Sequence, residues 1–118
     1  MSEPASSPSA QREPASGITT HVLDTSVGRP ATGVAVRLLR DTMEVASGTT
    51  DDHGRWVALG GEATTSGNYR LAFATGDYFG GASFHPQVVV DFTVSDPAQH
   101  HHVPLLLSPF GYTTYRGS

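Results

Sequence analysis

The 118-residue chain has no cysteine, which removes disulfide frameworks, thiolate catalysis and cysteine zinc sites together. Charge is scarce as well: 15% of the residues are charged, and seven Lys plus Arg against eleven acidic residues leave a formal charge of −4. This balance, with a pI near 5.8, excludes the basic footprint of a nucleic-acid binder. The longest apolar runs fall far short of the ~20 residues that span a bilayer as a helix, so no membrane partner is expected. A chain of this length fits one domain and buries enough surface to fold without metal or disulfide staples. Against these absences stand six histidines, nearly as many as the basic residues.

Eleven of the first sixteen residues are Ser, Pro or Ala, and no helical or strand period runs through them. Residues 1–16 are therefore expected to be a disordered tail and 17–118 the folded domain. The tail lacks the charged start and apolar stretch of a secretory signal, so the expected compartment is the cytoplasm. From Gly17 onward, short β-branched and aromatic runs alternate with Gly, Pro, Asp and Ser at intervals of about ten residues. Strands are expected at Ile18 to Thr25, around Val34, Val36 and Leu38, at Val45 to Thr50, and at Arg55 to Ala58. Four more follow: Tyr69, Leu71 and Phe73; Val88, Val90, Phe92 and Val94; Val103, Leu105 and Leu107; and Tyr112 to Arg116. Between Thr75 and Ala82 the alternation fails, leaving room for one or two helical turns. Eight strands and one short helix predict an all-β sandwich of two four-stranded antiparallel sheets.

Strand parity decides which side chains can meet. In the first strand Ile18, Thr20 and Val22 share one face, and Thr19, His21 and Leu23 the other. In the seventh, Val103, Leu105 and Leu107 form a uniformly apolar face. His100, His102, Pro104 and Leu106 then lie opposite, on a surface that is partly apolar and is expected to be covered by another copy of the chain. His100 and His102 project together, as metal ligands would, yet two imidazoles do not complete a zinc site and no carboxylate is placed beside them; a solvated histidine run is the plainer expectation. A lone strand histidine such as His21 is ordinarily a surface residue. Judged one at a time, Arg55 would by default be an exposed strand-start charge, and the last seven residues, despite the strand pattern at Tyr112 to Arg116, a frayed end. No Gly-x-Ser-x-Gly elbow, phosphate loop or carboxylate pair is present, and Asp24, Asp91 and Asp96 read as turn or strand-end residues.

Taken together, three blocks resemble the 5-hydroxyisourate hydrolases, the transthyretin-like enzymes of urate breakdown. They are ITTHVLD at 18–24 with GRPA at 28–31, the turn from Thr50 to Arg55, and the closing HHHVPLLLSPFGYTTYRGS from His100 to Ser118. Tyr69 to Tyr78 is a weaker fourth. The resemblance implies a sandwich of two four-stranded sheets with a short helix, assembled as a homotetramer. It also implies hydrolysis of 5-hydroxyisourate without metal or organic cofactor. By the same resemblance the catalytic residues fall on His21, Arg55, His102 and Ser118, and the substrate contacts on His21, Arg55 and Tyr115. Two positions depart from the family pattern. His53 stands where Asp or Asn is usual, which raises the question of left-handed geometry in that turn. His101 stands where Tyr is common and, by alternation, points away from His102. The alternative is a small-ligand carrier of the transthyretin type, a group that lacks the histidine pair and the Tyr-Arg-Gly-Ser end.

Overall fold

A computed structural model of the chain describes residues 16–118. The tail expected over 1–16 lies, but for Ser16, outside the described residues. Among the described residues nine strands run in chain order: β1 (Gly17–Asp24), β2 (Arg29–Pro30), β3 (Ala35–Arg40), β4 (Met43–Thr49), β5 (Arg55–Gly60), β6 (Gly67–Phe73), β7 (Val88–Val94), β8 (His100–Leu107) and β9 (Tyr112–Thr114). A 3-10 turn follows β5 at Gly61–Ala63, and one helix, α1 (Thr75–Tyr78), follows β6.

The strands form two sheets because their apolar residues recur with period two and each set needs a facing partner. One sheet is antiparallel in the order β4-β3-β6-β7. The other runs β9-β8-β1-β2, with β5 paired to β1 beside β2. Between them lie Ile18 and Val22 of β1 and Val103, Leu105 and Leu107 of β8. Val36 and Leu38 of β3, Leu71 and Phe73 of β6, and Val88 and Val94 of β7 meet them from the other sheet. Each such side chain removed from water contributes roughly 1.5–3 kcal/mol. Thr20 sits among them, satisfied by a 2.6 Å bond from its hydroxyl to the Val103 carbonyl.

The expected antiparallel pairing fails at one place. β1 and β8 run parallel along eight residue pairs, from Gly17 opposite His100 to Asp24 opposite Leu107. Parallel neighbours need a long crossover, and the entire second sheet supplies it. The sheet also holds a fifth strand, because Arg29–Pro30 folds back against Leu23 and Asp24. The failed alternation after Thr75 is a single helical turn. It is held by a 2.8 Å bond from the Tyr78 hydroxyl to Asp24 and a 2.9 Å bond from Thr75 to the His85 carbonyl.

Candidate active site

The parallel register brings the histidines together. Thr19 lies opposite His102 and His21 opposite Pro104, so Thr19, His21, His100, His102 and Pro104 all project from the outer face of this sheet. Between the imidazoles lies the Thr19 hydroxyl, 2.6 Å from His100 Nε2 and 2.8 Å from His102 Nδ1. Thr19 is only 2% exposed although it belongs to the outer face, because the two rings close over it. Two residues along and one strand across put the His21 and His102 Cα atoms about 8 Å apart.

Arg55 reaches the same face from the other side of β1, where it lies directly opposite His21. The uninterrupted register of Thr19 with Val57 and His21 with Arg55 keeps these four on one side, and the bulge in this pairing falls beyond them, between Ile18 and Thr19. The turn that delivers Arg55 is organised by Asp51, whose carboxylate accepts the His53 and Arg55 backbone N–H groups at 2.9 Å each. Gly54 carries the left-handed conformation, with φ of 76°, and accepts a 2.7 Å bond from the Val22 N–H. Any side chain there would run into the Val22 carbonyl and Pro30. The geometric question raised by His53 is thereby answered: among the described residues the only non-glycine with positive φ is Asp41. His53 leaves the turn intact, and its ring joins His21, Arg55 and Pro30 around a surface cavity of about 320 Å3.

The chain end, which by default would fray, is held. The register of β9 against β8 continues past Thr114 to a bridge between Gly117 and His102, where the Gly117 N–H donates to the His102 carbonyl at 2.8 Å. Arg116 adds a 3.2 Å bond to Gln99. A Cβ at 117 would stand 2.5 Å from His102 Cδ2, so glycine lets the backbone lie flat against the imidazole. Tyr115, 57% exposed, and Ser118, also exposed, flank this contact.

His21 and Arg55 thus share one cavity, while His102 and Tyr115 border a second, of about 220 Å3, that opens between the sheets beside Val90, Phe92, Val103 and Arg116. Ser118 lines neither. His101 turns inward as alternation requires, 5% exposed, with its Nδ1 2.9 Å from the Gln99 carbonyl. Burial pushes its pKa down, against that hydrogen bond, and favours the neutral ring. Among the described residues no three His, Asp or Glu side chains gather as a metal-binding set. Parity put Thr19 on the His21 face; only the parallel register put it between two imidazoles. His53 was visible in the sequence solely as a departure from a motif.

A family model described as the HIUase/Transthyretin family matches residues 18–117. A 5-hydroxyisourate hydrolase of Caulobacter vibrioides is 48% identical over 114 residues, covering 87% of this chain and 99% of that protein. Of the solved structures, the 5-hydroxyisourate hydrolase of Klebsiella pneumoniae aligns with a TM-score of 0.80 at 37% identity, over 87% of this chain and 99% of that one. Transthyretin from Sparus aurata aligns with a TM-score of 0.78 at 31% identity, over 85% of this chain and 95% of that one.

Proposed function

The chain belongs to the HIUase/transthyretin family, and within it we propose that this protein is a 5-hydroxyisourate hydrolase. It opens the six-membered ring at the N1–C6 amide bond and releases 2-oxo-4-hydroxy-4-carboxy-5-ureidoimidazoline. The observation that carries this reading is the placement of His21, Arg55 and His102 on three neighbouring strands of one outer face.

Hydrolysis of a cyclic amide needs an activated water, a donor for the oxyanion and a proton for the leaving nitrogen. Neutral His102 or His21 takes the proton from water, and the other orients the water or protonates the nitrogen, since imidazole titrates near neutral pH. Arg55 grips the substrate carbonyls and stabilises the developing negative charge with its fixed planar donors. Tyr115 positions the heterocycle, and the residues through Ser118 close the pocket. The face is open in one chain, with Val57 and Tyr112 exposed on the same sheet. We take four copies to assemble so that a neighbour covers it, a tetramer that sedimentation should reveal.

The test is ultraviolet decay of freshly generated 5-hydroxyisourate. Acceleration well above the spontaneous rate is expected; decay no faster than the buffer control would leave the transthyretin-type carrier as the reading. The carrier alternative draws on the likeness to the Sparus aurata protein, but it gives the two imidazoles and Arg55 no task.

A further inference from the structure

Thr19 is a buried hydroxyl between two ring nitrogens, and a hydroxyl has a single proton to give. It can donate to only one of them, so at least one of the two facing nitrogens must carry its proton and the tautomers of His100 and His102 are coupled. If Thr19 donates to His102 Nδ1, the proton of neutral His102 sits on Nε2, and that nitrogen is only a donor. If Thr19 donates to His100 Nε2, it accepts from His102 Nδ1–H, and His102 Nε2 presents a lone pair.

We propose that the second arrangement is the resting state, with Thr19 as a positioning residue and His100 as its proton acceptor. Together they make His102 Nε2 the base. The proposal rests on the reading that His102 belongs to the active site. The register supports it from the backbone: Thr19 stands directly opposite His102, and His100 is two residues away on the same face, with ring centroids 5.8 Å apart. When His102 Nε2 takes a proton from water, its Nδ1–H becomes a charge-assisted donor to Thr19. One concerted shift then moves the charge: Nδ1–H to Oγ1, and the original hydroxyl proton to His100 Nε2. Protons balance, Thr19 ends as it began, His102 is neutral with its proton on Nε2, and His100 is the imidazolium. In that state His102 holds a proton ready for the leaving nitrogen. When Nε2 gives that proton to the leaving nitrogen the shift runs in reverse, His100 Nε2–H to Oγ1 and the hydroxyl proton to His102 Nδ1, which returns both rings to their resting neutral tautomers. His100 stands at the first residue of β8 and is only partly buried, where water can stabilise the charge.

Ring-nitrogen NMR of 15N-histidine-labelled enzyme without substrate tests the arrangement directly. In the native protein both His100 and His102 are expected as Nδ1–H tautomers. In Thr19→Val, which keeps the shape and removes the hydroxyl, and in His100→Leu, which keeps Thr19, His102 is expected to revert toward the Nε2–H form that free imidazole favours. Turnover of 5-hydroxyisourate should fall about 10- to 100-fold in kcat for Thr19→Val, with KM within about twofold, and Thr19→Ser should restore it. A His102 that is Nε2–H in the native enzyme, or unchanged in both variants, overturns the proposal. If Thr19→Val does not fold, His100→Leu and Thr19→Ser still decide it. Undiminished turnover in His102→Asn would instead remove the His102 role itself, while the tautomer measurement would continue to decide the Thr19 coupling.

Discussion

The two sheets present contrasting outer faces. On the β4-β3-β6-β7 sheet, polar side chains pair across neighbouring strands: Arg70 with Asp91 at 2.7 Å, Arg37 with Glu44 at 3.5 Å, and Thr93 with Asn68 at 2.9 Å. These are ordinary solvated pairs of opposite or complementary groups, screened by water and of little weight in stability. On the β1-β5-β8 face no carboxylate stands among His21, Arg55, Val57, Thr19, His102 and Pro104, and two imidazoles meet on a single hydroxyl. One face satisfies itself by matching charges. The other gathers donors of one kind, an arrangement suited to an electron-rich heterocycle.

The largest effect should come from breaking the second face. Replacing His102 or His21 by Asn is expected to lower kcat/KM by roughly 10²- to 10⁴-fold with circular dichroism unchanged; activity near that of the native enzyme would remove that residue from the mechanism. A smaller loss is expected for Gly117→Ala, whose methyl group must displace the His102 ring or the tail. About a tenfold to hundredfold drop in kcat/KM with little change in Tm is the expected outcome, and an unaffected rate would show that the tail contact does not position His102. Both compare with Tyr78→Phe, which acts away from either face. It strips a hydrogen bond from the buried Asp24 carboxylate and should cost about 1.5–3 kcal/mol in urea unfolding while leaving turnover intact.

Tyr78 also gives that comparison a pH signature. Burial, then the bond to Asp24 and its negative charge, push the phenol up to about 12, above its ordinary value of 10.0. A raised folded value means stability that is whole below pH 10 and is lost as pH rises from there toward 12. For Asp24, burial acts upward, but the bonds from Ser26 and Tyr78 outweigh it and hold the carboxyl below its ordinary 3.8. Its contribution is therefore present above that value and disappears as pH falls below it. Tyr78→Phe should flatten the alkaline limb of a stability-against-pH curve; an unchanged limb would assign it elsewhere. The smallest effect is expected on the self-paired face. Arg70→Ala breaks its solvent-exposed ion pair with Asp91 and should leave both the urea midpoint and turnover nearly unchanged, and a measurable loss of activity would blur the contrast between the sheets.

Much of this was legible because strand parity is local. Val103, Leu105 and Leu107 could be set against His100 and His102 from alternation alone, and the inward turn of His101 followed from the same rule. The weak helical signal after Thr75 was also readable, as was the turn before Arg55. Pairing partners were not: nothing in ITTHVLD announces that the strand will lie parallel to a segment more than eighty residues later. Hence Thr19 passed as one more β-branched residue, although its hydroxyl is the point where two histidines meet. Arg29–Pro30 was hidden for a related reason, since a two-residue strand has no period to detect. The chain end looked frayed because its anchor, the Gly117 N–H to the His102 carbonyl, is a backbone bond that side-chain chemistry does not advertise.

The parallel pairing of β1 with β8 also sets an order in time. On a ribosome, Thr19 emerges long before His102, its partner 83 residues later. β1 can pair with β5 meanwhile, but its other edge stays vacant until β8 is made. Loop closure over such a separation is slow relative to local hairpins. The imidazole-lined face is thus among the last parts of the molecule to form. A nascent chain can hold a nearly complete second sheet and still lack the edge on which His102 must land, and in refolding experiments catalytic activity should return with the slowest phase rather than with the bulk of the β-sheet signal.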